Sequence, residues 1–215
     1  MRADGWQERD GYSWRNPGFE QGADHPVVGV NWEDARSFCA WLTDKERREA
    51  RIGPGDQYRL PTDHEWSMAM GIGAREDPRV SPKEKVGKIL GVYPWGTQWP
   101  PPKGVGNYAG QESRIGQEPS SWGSIDEYRD GFSRTAPVGS FPPNVLGLHD
   151  MGGNVWEWCE DLYDPGQKGR VLRGAAWNSD TETILRSSGR DDDLPGRRYS
   201  NLGFRCVLAR SSSNP

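Results

Sequence analysis

The stretch APVGSFPPNVLGLHDMGGNVWEWCEDLY, residues 136–163, combines two kinds of sequence. Its first half is rich in Gly and Pro, which are typical of turns and irregular loops. Its second half alternates as a β-strand does, so Trp156 and Trp158 fall on one side of the strand and Glu157 and Cys159 on the other. An aromatic stripe of this kind is most often part of a core. The stretch therefore predicts an irregular loop that leads into a strand anchored by buried tryptophans.

Shorter elements are predicted on both sides of this strand. The spacing of apolar residues predicts an amphipathic helix in NWEDARSFCAWLTDKERR, residues 31–48, and a second, shorter helix in LPTDHEWSMAMG, residues 60–71. In the second helix, Thr62 and Glu65 are expected to form a capping box, and Gly71 to end the helix in a left-handed conformation. RVLRGAAW and NLGFRCVLA are expected to be strands. The expected N-cap of the first helix is Asn31, its expected apolar face is Trp32, Ala35, Phe38, Cys39 and Leu42, and the last strand is expected to bury Leu202, Phe204, Cys206 and Leu208.

Length and composition favour one globular domain. The chain has 215 residues, which is enough for a sizeable core. Its hydrophobic content is only 33% and its mean hydropathy is -0.90, but eleven Trp, seven Tyr and five Phe supply large side chains to bury. With 28 Gly and 17 Pro, much of that domain must be loop. The sequence therefore predicts a loop-rich α+β domain.

Charge and hydropathy also limit the partners and the compartment. No apolar run is long enough to cross a membrane or to act as a secretion signal, so the expected location is the cytoplasm or a compartment that the sequence does not specify. The net charge of -4, with both signs mixed along the chain, gives no field that would attract nucleic acid or anionic lipid. We therefore expect neither nucleic acid nor a membrane as a partner.

Six segments of the chain occur together and in order: HPVVGVNWEDARSFCAWL, YRLPTDHEWSMA, YPWG, APVGSFPPNVLGLHDMGGNVWEWCEDLY, RVLRGAAW and NLGFRCVLA. Together they resemble the formylglycine-generating enzyme, or sulfatase-modifying factor, superfamily. The resemblance implies an irregular, loop-rich form of the C-type lectin-like fold over residues 25–209. It leaves residues 1–24 as an N-terminal extension, in which the family's opening hairpin is not evident, and residues 210–215 as a tail.

The catalytic residues of the family's oxidases are missing from this sequence. The resemblance implies that two cysteine thiolates after an RVxxGGS motif hold copper, and that the serine of the motif shapes the oxygen site. Here the motif reads RVLRGAAW, so Ala176 stands at the place of the serine, and no cysteine occurs from Trp177 to Arg205. The chain also has only three histidines, widely spaced, which argues against the iron chemistry of related enzymes. We therefore expect no catalytic residues and no copper.

The resemblance also pairs two of the three cysteines. Cys39 and Cys206 match positions that are disulfide-bonded in the eukaryotic enzyme, whereas Cys159 matches no bonded position. Cys39 and Cys206 are therefore expected to lie close together. The sequence leaves open whether they form a bond or remain two packed thiols, which is the state expected in a reducing compartment.

Calcium sites implied by the resemblance would hold the long central loops in place. Ca²⁺ takes roughly six to eight hard oxygen ligands in irregular geometry, so it can tie together loops that lack a core of their own. The alternative is that the acidic residues only cap turns or face solvent. The implied ligands are the side chains of Asn107 and Asp130 with the carbonyls of Tyr108 and Phe132 at a first site, and the side chains of Asp150 and Glu157 with the carbonyls of Gly153 and Val155 at a second.

The segment between RGAAW and NLGFRC stands, by the resemblance, at the place of the enzyme's active site. Its short polar residues, with Arg and Tyr among them, are typical of adaptable recognition surfaces. Leu194 and Pro195 are expected to fix a turn that presents their neighbours to solvent, while Arg205 is expected to form an internal ion pair. The expected ligand-binding residues are Trp177, Asn178, Asp180, Arg190, Asp191, Asp192, Asp193, Arg197, Arg198 and Tyr199.

Two classes of function follow. The first is a non-catalytic module that binds an unidentified protein or small molecule at the polar surface of residues 177–201. Within the superfamily, this segment resembles the variable proteins of bacterial diversity-generating retroelements, in which mutation at adenines turns asparagine codons into those for Asp, Ser, Gly and Tyr. A bacterial relative without a retroelement would have the same composition, because loops are rich in these residues. The second class is an oxidoreductase of the formylglycine-generating type that acts on a cysteine-containing substrate.

Overall fold

The computed structural model describes residues 10–114 and 123–211, so the first part of the expected extension and the end of the expected tail lie outside the described residues. Within those two ranges, no helix is both long enough and apolar enough to cross a membrane. The helices are α1 (Trp32–Arg48), α2 (Asp63–Ala69), α3 (Pro82–Lys85) and α4 (Glu182–Leu185), with 3₁₀ turns at Gly73–Arg75 and Gln111–Arg114. The strands are β1 (Gln57–Arg59), β2 (Trp156–Leu162), β3 (Arg170–Arg173), β4 (Asp191–Asp193), β5 (Leu202–Gly203) and β6 (Val207–Ala209).

Both predicted helices begin at the residues expected to cap them. The Asn31 side chain accepts the Asp34 N–H at 2.8 Å, and the Asp34 carboxylate accepts the Asn31 N–H at 3.0 Å. Thr62 and Glu65 make the same reciprocal pair at the start of α2. Gly71 follows α2 with a φ of 85°, in the left-handed region that glycine favours. The predicted starts of both helices and the end of the second are confirmed.

The strands form one main sheet and one separate pair. The main sheet has the order β4-β3-β2-β5, and the separate pair joins β1 to β6. β3 is antiparallel to both of its neighbours, whereas β5 runs parallel to β2. The predicted tryptophan strand is β2. Trp156 and Trp158 are buried in the core as expected, and Glu157 and Cys159 on the other face are buried too, so β2 is covered on both faces.

The prediction of one continuous C-terminal strand is wrong. β5 and β6 are two short strands separated by residues 204–206, and they belong to different sheets. The chain pairs with β2 at β5 and then turns away to pair with β1 at β6. The alternating apolar side chains of residues 202–208 therefore do not all face the main core. Leu202 is only 1% exposed, whereas Phe204, Cys206 and Leu208 are half-buried.

The core packs the inner face of α1 against β2 and β3. Trp32, Ala35 and Cys39 of α1 are buried as predicted. Phe38 was expected beside them but is 43% exposed. Its ring instead packs at the surface against Phe204, with ring centroids 5.5 Å apart. The apolar face of α1 is therefore narrower than its sequence suggests, and the helix keeps an aromatic patch on its outer side.

Candidate functional site

One charged residue of the expected binding surface, Arg190, lies inside the protein in a buried network of ion pairs. The Asp63 carboxylate, at the first turn of α2, accepts hydrogen bonds from Arg173 at 2.5 Å, Lys85 at 2.6 Å and Arg190 at 2.7 Å. Arg190 also pairs with Glu76 at 2.5 Å. Burial opposes ionisation of Asp63, but the three cations outweigh it and hold the pKa of that carboxyl below its usual range. Arg190 is 6% exposed, so the expectation that it faces a ligand is wrong: the buried acids draw it inward.

Trp177 is also internal, with 1% of its surface exposed. The Arg134 guanidinium lies over the Trp177 ring, 4.3 Å from its centroid, and the indole N–H donates to a backbone carbonyl of the same segment at 3.4 Å. The expectation that Trp177 points toward a ligand is therefore wrong, because its ring packs beneath the segment. Asn178 and Asp180, which follow it, are half-buried and keep a solvent-facing part.

The three consecutive aspartates form an edge strand, not part of a turn. Asp191–Asp193 are β4 and pair with β3. The turn comes after them, where the Arg197 N–H donates to the Leu194 carbonyl at 3.0 Å with Pro195 in between. The first aspartate is exposed and the other two are half-buried. Charged side chains along a sheet edge discourage pairing with another chain, so β4 has a structural role besides any role in binding.

Arg198 and Tyr199 attach the segment to the start of α1. Arg198 pairs with Asp34 at 2.8 Å, and both side chains remain about half exposed. Tyr199 is half-buried against the main core, and its carbonyl accepts the Gly29 N–H at 3.0 Å. Tyr199 was expected to point outward, but part of its ring supports the fold.

Two groups of the expected surface lie at opposite edges of the main sheet. The aspartates of β4 are at one edge. Asn178 is near the other edge, because it accepts a hydrogen bond from Asn201 at 2.9 Å, and the Asn201 carbonyl accepts the Trp156 N–H. Strands β3 and β2 lie between the two groups, which puts them roughly 14 Å apart at about 4.8 Å per strand spacing. The β4 aspartates and Asn178 therefore do not form one compact patch.

The structure also has a cavity, not expected from the sequence, whose wall connects through Arg134 and Trp177 to the segment that carries Asn178. The cavity has a volume of about 700 Å³ and is lined by residues between Trp14 and Val27. Phe19, in its wall, lies 5.9 Å from the Arg134 guanidinium, which in turn covers Trp177. The signal available in the sequence was the number of aromatic residues among the turn formers of this segment.

The wall of the cavity is held in place by polar contacts. The Gln21 amide and the His25 ring both bond the Thr135 hydroxyl, at 2.8 and 2.9 Å. At the rim, the Arg15 guanidinium lies over the Trp14 ring, 4.1 Å from its centroid, and Trp14 is 50% exposed. The cavity thus offers aromatic surface, a cation and hydrogen-bonding groups, which is the mixture typical of ligand sites.

The cysteines lie away from this region. The thiols of Cys39 and Cys206 are free, with their sulfurs 3.3 Å apart, so the expected proximity is confirmed. The hydrogen bond between the two thiols raises the pKa of Cys39. Cys159 is fully buried, and burial raises the pKa of its thiol as well. The hydrogen bond between Cys39 and Cys206 lowers the pKa of the half-buried Cys206, and none of the three cysteines lines the cavity.

The residues of the first expected calcium site fit a cation. The Asn107 amide nitrogen donates to a backbone carbonyl at 2.7 Å and to Asn154 at 3.3 Å, which fixes the orientation of the amide and leaves its oxygen buried without a partner. The Asp130 carboxylate is close by, because it accepts the Tyr108 N–H at 2.9 Å. Burial raises the pKa of Asp130 to about 6. A hard cation would satisfy both groups, so Asn107 and Asp130 would hold it with the Tyr108 and Phe132 carbonyls.

The residues of the second expected site do not fit a cation. The two Glu157 oxygens accept hydrogen bonds from Arg205, both at 2.6 Å, and one also accepts the Trp66 indole N–H at 2.9 Å. Arg205 also donates to the Asp150 carbonyl at 3.1 Å, and its expected internal ion pair is confirmed. A guanidinium thus already neutralises the carboxylate that a metal was expected to neutralise. For this reason we do not propose a second cation site with the ligands Asp150, Gly153, Val155 and Glu157.

Comparison with protein families and individual sequences gives consistent matches. The model of the sulfatase-modifying factor enzyme 1-like domain matches residues 2–210. The chain is 34% identical over 221 residues to a Mus musculus protein named inactive C-alpha-formylglycine-generating enzyme 2, covering 98% of this chain and 58% of that protein. It is 30% identical over 223 residues to the Bos taurus formylglycine-generating enzyme, covering 94% of this chain and 50% of the enzyme. The chain thus spans between half and three fifths of the length of these relatives.

Solved structures show the same fold. PvdO from Pseudomonas aeruginosa aligns with a TM-score of 0.59 at 25% identity, over 87% of this chain and 63% of that one. Treponema denticola variable protein 1 aligns with a TM-score of 0.55 at 21% identity, over 97% of this chain and 77% of that one. The expected α+β, loop-rich fold of the C-type lectin-like type is confirmed.

Proposed function

Because this chain belongs to the sulfatase-modifying factor enzyme 1-like family, we propose that it uses the family's fold as a non-catalytic ligand-binding module. The observation that carries the proposal is the loss of the copper ligands: the sequence has no cysteine from residue 177 to 205, and Ala176 stands at the serine position. The name of the mouse relative, which calls that protein inactive, points in the same direction.

The cavity lined by residues between Trp14 and Val27 forms the proposed binding site, and the contacts from Phe19 to Arg134 to Trp177 connect its wall to the segment that carries Asn178 and Asp180. Ligand sites are concave, partly apolar and supplied with a few fixed polar groups, and this region combines those features. The aspartates of β4 lie at the far edge of the sheet and are not part of the proposed site. The ligand is a small molecule or a short segment of a protein, since about 700 Å³ accommodates a group of that size.

An activity assay separates this proposal from the alternative of a formylglycine-generating oxidase, which the identity to the bovine enzyme favours. The protein is incubated with copper, oxygen and a cysteine-containing sulfatase peptide, and the peptide is analysed by mass spectrometry. We expect unchanged cysteine, because residues 177–205, where the family's oxidases carry their copper-binding thiolates, contain no cysteine. Formation of formylglycine above the level of a protein-free control would reject the non-catalytic function.

A binding screen tests the location of the site. Mixtures of small molecules and short peptides are screened by ligand-observed NMR against the wild-type chain, Trp14→Ala and Asp191→Ala. Both substituted side chains are exposed, so neither variant should alter the fold. We expect binding to be lost in Trp14→Ala and kept in Asp191→Ala. The reverse pattern would move the site to β4.

Diversification by a retroelement is a separate hypothesis for the same protein. It requires that varied side chains face solvent, which suits Asn178 and Asp180 but not Arg190, a buried partner of Asp63. The genomic test is a near-repeat of the 3′ end of the gene beside a reverse transcriptase. Without such a repeat the hypothesis is rejected, and the binding function is unaffected.

We also propose a structural Ca²⁺ at the first cation site. Support comes from the unpartnered Asn107 oxygen and from the buried Asp130 carboxylate. When bound, the ion would supply the positive charge that joins the loop of residues 106–112 to the loop of residues 128–132. Its role would be to hold these loops near the binding region rather than to act in chemistry.

A further inference from the structure

Glu112 lies on the 3₁₀ turn that follows the Asn107 loop and faces the loop that carries Asp130. The Gln111 N–H donates to the Tyr128 carbonyl at 2.9 Å, and the Gly131 N–H donates to the Glu112 carboxylate at 3.2 Å. The two loops are thus joined directly at Glu112, one residue away from Asp130.

The second oxygen of the Glu112 carboxylate is buried and has no hydrogen-bond partner. Among the described residues, the Asp130 carboxylate accepts hydrogen bonds from the backbone N–H groups of Tyr108 and Phe132, each at 2.9 Å. In the described ranges, neither carboxylate has an ion pair at 4.0 Å or less. Two carboxylates and the unpartnered Asn107 amide oxygen therefore lie at these loops, and no side-chain cation of the described residues pairs with either carboxylate.

The backbone around Glu112 leaves room for its unpartnered oxygen. A Cβ at position 110 would lie 2.7 Å from that oxygen and 3.1 Å from the Tyr128 carbonyl oxygen. Glycine at this position therefore allows the carboxylate and a backbone carbonyl to approach the same point. The unpartnered oxygen therefore packs on the backbone of the Asn107 loop, between the two loops that would hold the cation.

We propose that Glu112 is a further ligand of the cation site formed by Asn107 and Asp130, so that the site contains two carboxylates. The inference rests on the proposed Ca²⁺ site. With Glu112, the available oxygens are two carboxylates, one amide and nearby backbone carbonyls, which approaches the roughly six to eight ligands of Ca²⁺. Two carboxylates favour a divalent cation over a monovalent one, because a single positive charge would leave the site negative.

The test compares Ca²⁺ affinity in the full chain and in three variants by isothermal titration calorimetry. Glu112→Gln removes the charge and keeps the oxygen that accepts the Gly131 N–H, so the fold should persist. Asp130→Asn removes the ligand that the site already requires. Glu127→Gln is the matched control, because Glu127 is exposed and the substitution removes the same charge from a neighbouring turn. Circular dichroism and the unfolding midpoint in EGTA show whether each variant is folded.

We expect the dissociation constant to rise about tenfold or more in Glu112→Gln and to stay within about twofold in Glu127→Gln, because ligand charge sets calcium affinity. Equal affinity of the wild-type chain and Glu112→Gln would overturn the role of Glu112 and leave the cation site standing. An equal loss in Glu127→Gln would also overturn it, by assigning the effect to net charge. A wild-type chain that binds no Ca²⁺ would overturn both the site and the role of Glu112.

Discussion

The two loops expected to bind calcium contain similar buried acids and balance them differently. Near Asn107, Asp130 and Glu112 have no positive charge beside them in the described structure, whereas Glu157 is held by Arg205 at 2.6 Å. The motifs gave no reason to expect a difference, because each contains acidic residues followed by suitable carbonyls. The difference teaches that a buried carboxylate indicates a need for positive charge and does not reveal whether a metal or a side chain supplies it.

The largest effect is expected where side chains supply all of the balancing charge. Asp63→Asn would leave Arg173, Arg190 and Lys85 with one fewer buried anion, and Asp63 is only 1% exposed. We expect a loss of about 5 kcal/mol in the free energy of unfolding, the upper range for breaking a buried ion pair. Urea unfolding at neutral pH measures it. A loss below about 1 kcal/mol would show that the network contributes little to stability.

The same carboxylate should make the protein sensitive to acid. The pKa of Asp63 is lower in the folded protein than in the unfolded chain, so its contribution is complete above the unfolded value of about 3.9 and is lost as the pH falls through the folded value. Stability measured from pH 7 downward should therefore fall more steeply in the wild-type chain than in Asp63→Asn. Parallel curves would contradict the assignment.

Arg205→Ala should have the next largest effect, about 3 kcal/mol, because it leaves Glu157 buried and unpaired. The value lies at the lower end of the range because 26% of the Arg205 side chain is exposed. The variant also gives the most direct test of the comparison between the two loops. If Arg205 is the only reason that the second expected site does not take a cation, Ca²⁺ should bind there once the arginine is removed. The gain in stability on adding Ca²⁺ should then be larger for Arg205→Ala than for the wild-type chain. Equal calcium effects in the two proteins would mean that the loops differ in more than Arg205.

Calcium should stabilise the wild-type chain by a smaller amount that depends on concentration. At 100 times the dissociation constant, a ligand bound only by the folded state adds about 2.7 kcal/mol. The measurement compares unfolding midpoints in Ca²⁺ and in EGTA, and Asp130→Asn should show no difference between the two. Equal midpoints in the wild-type chain after full exchange would remove the cation from the first loop as well.

The smallest effect should come from an exposed pair with the same chemistry as Arg205 and Glu157. Arg198 and Asp34 are 2.8 Å apart, but their side chains are 50% and 43% exposed. Arg198→Ala should cost about 0.5 kcal/mol or less in thermal or urea unfolding, because water already solvates both charges. A cost similar to that of Arg205→Ala would show that burial is not what separates the two pairs.

Local structure could be read from the sequence wherever the determining residues are neighbours. The caps at Asn31 and Thr62 and the alternation of Trp156 and Trp158 depend on spacings of two or three residues, and the structure has all of them. The break between β5 and β6 could not be read in this way. β6 pairs with β1, and no local pattern in residues 202–208 specifies a partner that lies early in the chain.

The candidate site was harder to predict for the same reason. Arg190 has the composition of a recognition residue, but its partner Asp63 is 127 positions away, and only the fold brings them together. Arg205, which alternates with the core-facing residues of the expected last strand, was expected to form an internal ion pair, and that expectation is confirmed. The cavity near Trp14 and Phe19 was missed because the segment has no periodicity to interpret.

The pairing of β1 with β6 has a consequence for how the protein is made. Residues Gln57–Arg59 leave the ribosome early, whereas their partners Val207–Ala209 are synthesised about 150 residues later. At roughly 5–20 residues per second, the first strand waits on the order of ten seconds for the second. During that interval the inner face of α1, including the Cys39 thiol, has no partner from Cys206 and is open to chaperones and oxidants. We therefore expect the completion of folding to follow the release of the last strand, and a nascent chain stalled before residue 200 to remain sensitive to protease.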